Sequence, residues 1–238
     1  MAQKIILSKT ARPELASYIE DLGYEVEPFG PIDHVQEPLR CHPDMLLCRL
    51  DQDTVFKGEQ ARLSPAYPGD IIYNACSTGK FFIHNLKYTA PELLAAADEM
   101  GLIRLNVSQG YAKCSTCVVS EDAIITYDRG IAGAAAAAGL EVLDIGPGHV
   151  ELPGYNTGFI GGASGLVRDL SRDTAELTQD PCTKIDPAGG RIPRPILVFN
   201  GDLSAHPDFR AITDFAEEHG AEVKFFADWK LTDIGSII

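Results

Sequence analysis

Cysteines, two His-Pro-Asp triplets and one glycine-rich run are the places where this sequence could do chemistry. Cys114 and Cys117 form a C-x-x-C. In a dithiol enzyme such a pair opens a helix whose dipole lowers the thiol pKa, and in a structural zinc site it is joined by a second pair. Here it sits in KCSTCVVS, which is rich in β-branched residues and reads as a strand. Three positions apart on a strand, the two side chains fall on opposite faces. No second C-x-x-C follows, so neither dithiol chemistry nor a metal is expected. Lys113, next to Cys114, would favour a thiolate there. The run TGFIGGASG, with Gly158, Gly161, Gly162 and Gly165, lacks the GK[ST] of a phosphate cradle and reads as close backbone packing; no cofactor is expected. The triplet His206-Pro207-Asp208 precedes a helix, where Asp is a favoured first-turn residue, and reads as structural. Its twin, His42-Pro43-Asp44, precedes the apolar run MLLCRL, and His42 is either a strand-start residue or a catalytic one.

The bulk of the chain bounds what these groups can meet. It has 238 residues, 45% hydrophobic and 23% charged, an ordinary globular composition. A net charge of -14 and a pI near 4.7 repel phosphate backbones and anionic lipid and attract cations, so neither nucleic acid nor membrane is expected as a partner. The apolar stretch Ile5 to Leu7 is too short for a signal segment, and no apolar run approaches the ~20 residues of a membrane span. A soluble, cytoplasmic protein with its six cysteines reduced is the expectation.

Four helices are legible: Pro13 to Leu22, Pro91 to Gly101, Ile131 to Ala138, and Pro207 to Gly220, each ending at a glycine. Each is flanked by short strands, from Ile5 to Ser8 and Tyr24 to Glu27, through Phe81 to His84, Ile103 to Val107, Ala123 to Tyr127 and Glu141 to Ile145, to Ile196 to Asn200 and Glu222 to Phe226. A further strand precedes the later units, in NACSTG, GYAKCSTCVVS and GYNTGFIGGASGLV, which makes a recurring ββαβ module. HPDMLLCRL, TVF and DIIYN read as a degenerate module whose helix falls between Lys57 and Tyr67. The first unit lacks its leading strand, and LTDIGSII at the end is a strand with no unit after it. If the last strand supplies the first, five modules close into a ring and no sheet edge stays unpaired. The chain then forms a single domain, 1–238, with a polar insertion at about 169–195.

A ring of five ββαβ modules closed by a C-terminal strand resembles the pentein fold, the five-bladed α/β propeller of guanidine-modifying enzymes and of a non-catalytic ribosome anti-association factor. The stretches QGYAKCSTCVVSEDAIITYD, GYNTGFIGGASG and LTDIGSII also resemble an uncharacterised bacterial family grouped with those enzymes. The resemblance implies that the first strand of each module lines a central channel. It further implies a cysteine nucleophile, a histidine in an H-x-D motif and one more carboxylate at the channel mouth. In this chain those are Cys114, His42 with Asp44, and Asp233. Asn74, Lys113, Asn156 and Phe159 are the matching substrate contacts, Cys76 is a second candidate thiol, and Cys41 a weaker one. The implied function is a thiol-dependent hydrolase or transferase acting on a small cationic guanidine or amidine. A thiolate attacks the central carbon, an acid releases the amine, and carboxylates hold the planar cation. In the enzymes the cysteine lies near the C-terminus, whereas LTDIGSII has none. That difference favours a second reading, a non-catalytic pentein that binds a partner or small ligand.

Overall fold

The N-terminal unit is one strand-helix-strand crossover. In the computed structural model, which describes residues 3–171, 184–185 and 191–238, β1 (Lys4–Ser8) and β2 (Glu25–Phe29) pair in parallel with Ile5 opposite Val26. Helix α1 (Pro13–Asp21) crosses between them. Pro13 sits where a first helical turn needs no backbone donor, and Leu15 and Ile19, four apart on one face, are buried. An antiparallel pair follows, β3 (Leu47–Arg49) with β4 (Val55–Lys57). The helix expected between Lys57 and Tyr67 is replaced by one 3-10 turn, Gln60–Arg62, and DIIYN is loop and turn rather than strand. QARLSPAYPGD carries two prolines and no apolar repeat at helical spacing, so it has no face to bury.

Three complete units come next. The first holds β5 (Cys76–Ser77), β6 (Phe81–His84), α2 (Pro91–Glu99) and β7 (Ile103–Asn106). The second opens with a helical turn, α3 (Ala112–Ser115), and continues with β8 (Cys117–Ser120), β9 (Ala123–Thr126), α4 (Arg129–Ala137) and β10 (Glu141–Asp144). The third begins with β11 (Ser164–Arg168). A two-stranded ribbon, β12 (Lys184–Ile185) with β13 (Arg191–Ile192), precedes its β14 (Pro195–Phe199), α5 (Phe209–Glu218) and β15 (Glu222–Lys224). In all three sheets the middle strand runs antiparallel to the first and parallel to the last. The glycines after α1, α2, α4 and α5 have φ of 93, 71, 92 and 81°, the left-handed conformation that closes a helix.

Two further expectations need correction, and another cannot be compared. KCSTCVVS is not one strand, because Asn74 Oδ1 accepts hydrogen bonds from the backbone N–H groups of Lys113 and Cys114 and holds Ala112–Ser115 in a helical turn. LTDIGSII is not a continuous strand either: Gly235 and Ser236 have φ of 75 and 74° and break the extension. Its backbone instead bonds several segments in turn. Ile234 and Ser236 donate to Gly162 O, Ile237 to Ser164 O, and Ile238 to Ile6 O at 3.2 Å, while Ile6 N donates back to Ile238 O. The polar insertion at about 169–195 lies mostly outside the described residues.

The architecture is thus mixed α/β, with small separate sheets, none of which closes on itself among the described residues. Their apolar faces are nevertheless shared between units. Ile124 and Ile131 of one unit pack with Phe81 and Ile83 of the unit before it. Ile5, Leu7 and Leu15 of the first unit share a cluster with Val167 and Ile196 of the last and with Ile234 and Ile237 of the C-terminal segment. Among the described residues no helix is long and apolar enough to cross a membrane.

Candidate functional site

Four segments distant in sequence meet at one buried point. The turn Pro43–Met45 carries Asp44, and His42 precedes it in an extended conformation. The loop before β5 supplies Asn74, α3 supplies Cys114, and the C-terminal segment supplies Asp233 and Ser236. Asp44 is anchored by its own N–H, which donates to Gly235 O at 3.2 Å. Gly235 lies directly on His42: a Cβ there would overlap the histidine, and the positive φ excludes most other residues. Gly162 plays the same part beneath Asp233, whose carboxylate occupies the place a side chain would need. The glycines of TGFIGGASG therefore provide close approach.

Cys114 Sγ donates to Asp44 Oδ2 at 3.0 Å, and Ser236 Oγ donates to the same oxygen at 2.7 Å. Asn74 Nδ2 reaches both Asp44 O (3.1 Å) and Cys114 Sγ (3.2 Å). Asp233 accepts from the N–H groups of Phe159 and Gly235, each at 3.0 Å, and its Oδ1 stands 3.7 Å from His42 Nδ1. Cys114, His42, Asp44 and Asp233 are all at most 3% exposed. Of the candidate acids, bases and nucleophile, the structure brings all four together.

Burial sets their protonation. It raises the Asp44 pKa, with Asp233 adding to the rise and His42 opposing it, and it pushes Asp233 up to about 6 against its two backbone hydrogen bonds. Burial lowers the His42 pKa, with Asp44 opposing. It holds the Cys114 thiol well above its ordinary value, and the Asp44 and Asp233 charges hold it there too. Burial thus favours the neutral forms of the thiol and the imidazole and opposes charge on both carboxyls, while Lys113 acts on both carboxyls in the other direction. Lys113 Nζ itself donates to Gly161 O at 3.2 Å. His42, Asp233 and Ile234 line one side of a cleft of about 650 Å³ that also includes Arg12 and Trp229.

The chain belongs to a family of unknown function (DUF6873). The match covers residues 56–173 and 185–238, so Asn74, Cys114, Asp233 and Ser236 fall within it, whereas His42 and Asp44 precede it. No curated protein and no solved structure matches the chain.

The remaining candidates divide. Phe159 touches the centre through its backbone, and its ring stacks between Tyr127 (5.8 Å) and Tyr111 (6.3 Å). Asn156 is exposed and lines an adjoining cleft with His149 and Tyr155. Cys76 is buried among Phe81, Ile83 and Ile124, its thiol pushed up to about 11 by burial. Cys41 is partly exposed beside Gly30. Cys117 is buried in the cluster of Leu197 and Phe199. Ser236, the second donor to Asp44, lies within the quoted LTDIGSII, and Tyr111 and Tyr127 within the quoted QGYAKCSTCVVSEDAIITYD, but all three fall outside the H-x-D and cysteine patterns.

Proposed function

We propose that the chain is a thiol-dependent hydrolase or transferase acting on a guanidine or amidine compound, built on a pentein-like propeller whose C-terminal segment closes the ring. The observation that carries this reading is the convergence of Cys114, Asp44, His42 and Asp233 on one centre, with 3.0 Å between the thiol and Asp44 and 3.7 Å between His42 and Asp233. The mutual hydrogen bonds of Ile6 and Ile238 support the closure. Cys41, Cys48, Cys76, Cys114 and Cys117 are free, which suits a reducing compartment such as the cytoplasm.

A planar cation held by Asp44 and Asp233 adds positive charge beside the thiol and lowers its pKa in the same step. The thiol proton passes to neutral His42, whose imidazolium Asp233 stabilises. Cys114 sulfur then bonds to the central carbon of the cation, and His42 returns the proton to the departing amine as the C–N bond breaks. Water, giving a proton to His42, adds to the same carbon; cleavage of the S–C bond releases the urea or amide product and restores the thiol. An acceptor amine in place of water makes the reaction a transfer. A haloacetamidine, cationic and thiol-reactive, should alkylate Cys114 selectively at neutral pH, and Cys114→Ser should abolish both the labelling and any turnover of guanidino compounds. Failure to label Cys114 while Cys41 reacts refutes the catalytic reading. The near-complete burial of the thiol favours the second reading, a non-catalytic pentein that binds a small cation or partner at this centre.

A further inference from the structure

Buried polar atoms without partners are costly, and native structures hold few of them. This centre holds two: Asp44 Oδ1 and His42 Nδ1 have no hydrogen-bond partner, in residues 0% and 3% exposed. A nitrogen of His42, a carboxylate oxygen of Asp44 and Cys114 Sγ lie within 4.8 Å of one another. Tetrahedral zinc needs its donors about 3.5 Å apart, given bond lengths of about 2.0 to 2.3 Å. The Cys114–Asp44 separation of 3.0 Å, at Oδ2, is already close to that spacing, and the imidazole nitrogen lies within 4.8 Å of both.

We propose that His42, Asp44 and Cys114 form a three-donor site for Zn²⁺. The donor set selects the metal, since thiolate and imidazole suit zinc while magnesium and calcium take oxygen. Two of the donors also have an outer partner that orients them, as metal ligands characteristically do. Ser236 Oγ donates to Asp44 Oδ2 (2.7 Å) and Asn74 Nδ2 donates to Cys114 (3.2 Å). The thiol proton leaves to solvent as zinc binds, and the metal's two charges then offset those of the thiolate and Asp44. Three protein donors leave the fourth position open, the arrangement of a reactive rather than a purely structural zinc. The site does not depend on the proposed hydrolysis.

Chelator-treated full-length protein, reduced and free of competing thiols, is titrated with Co²⁺ as a spectroscopic substitute. One equivalent should bring up a sulfur-to-cobalt charge-transfer band and tetrahedral ligand-field bands, all removed by Zn²⁺. Cys114→Ser, checked for folding by circular dichroism, should lose the charge-transfer band. Ser236→Ala, which keeps all three donors, should weaken cobalt binding about tenfold or more. Absence of the band in the wild-type protein, or its persistence in Cys114→Ser, overturns the site. Haloacetamidine labelling of the metal-free protein separates the two ideas. Labelling without a cobalt band removes the zinc site alone, and a band without labelling leaves the zinc site standing while the catalytic reading falls.

Discussion

His42-Pro43-Asp44 and His206-Pro207-Asp208 are the same three residues in the same order, and the molecule treats them differently. In the second triplet His206 Nδ1 accepts the Asp208 N–H at 3.0 Å, and Asp208 Oδ2 accepts Gly146 N–H at 2.6 Å. Both side chains are satisfied at the start of α5, His206 within its own triplet and Asp208 by the backbone of Gly146. In the first triplet His42 Nδ1 has no hydrogen bond, and the Asp44 carboxylate faces a thiol and a hydroxyl from two remote segments. The local backbone does not account for the contrast, since Pro43 and Pro207 each lead into a helical turn. What differs is the cover: the C-terminal segment, with Gly235 resting on His42, shuts the first triplet into the centre of the molecule. A tripeptide is a site only through what the rest of the chain places on top of it.

The largest test of that contrast removes the cover. Deleting residues from Leu231 onward takes Ile234 and Ile237 out of the cluster they share with β1 and β14. Loss of a buried large aliphatic side chain costs about 2 to 5 kcal/mol, so two approach the whole stability of a domain, about 5 to 15 kcal/mol. The truncated chain is expected to aggregate or lose its cooperative thermal transition; an unchanged melting temperature refutes the closing role. Next in size is activity. His42→Ala should lower the turnover of the best guanidino substrate about 10² to 10⁴-fold, the span of general acid-base catalysis, with a smaller change in KM. His206→Ala should leave turnover unchanged, and equal losses in steady-state kinetics would erase the distinction.

Much of this arrangement was legible in the sequence, for identifiable reasons. Helices α1, α2, α4 and α5 announce themselves by apolar spacing and a terminal glycine, because both signals are local. The convergence of Cys114, His42, Asp44 and Asp233 came through the resemblance, since no local pattern brings segments so far apart in the chain together. Two of the misreadings share one cause. Asn74 bends KCSTCVVS into a turn from 39 residues away, and a left-handed Gly235–Ser236 pair breaks LTDIGSII so that it can bond several segments. Both are tertiary effects that propensity does not report. Asn74 and Asn156 look alike in their modules, yet one is buried at the site and the other exposed, because only the first has backbone donors folded over it.

A third buried histidine sharpens the comparison through pH. His84 is satisfied by Thr89 Oγ1 (2.8 Å) and Gly110 O (2.9 Å), and burial lowers its pKa from 6.5 to about 4. Between those two values the unfolded chain binds the proton and the folded one does not. Stability therefore falls as pH drops from about 6.5 toward 4, and levels off below. The full shift corresponds to about 3 kcal/mol. His42 and His206, also lowered by burial, act in the same direction. His84→Gln should flatten part of the acid limb of a denaturation profile taken across that range, and an unchanged limb refutes the assignment.

The smallest expected effect is also the one whose sign separates the two triplets. Asp208→Ala removes a bond to the Gly146 N–H and a carboxylate at the start of α5, so it should cost about 1 to 2 kcal/mol. Asp44→Asn acts on a group that burial holds above its ordinary pKa. At neutral pH the folded protein must either keep that carboxylate charged in a dry site or protonate it against the solution, and both lower stability. A neutral amide of the same shape removes the conflict while keeping an acceptor for Ser236 and a group beside Cys114. Asp44→Asn should therefore raise the melting temperature at pH 7, as substitutions at destabilised functional sites do, while Asp208→Ala lowers it. Thermal melts of the two variants decide the matter. If both fall by similar amounts, Asp44 is held for packing as Asp208 is, and the central cluster loses its claim to be strained in readiness for a cation.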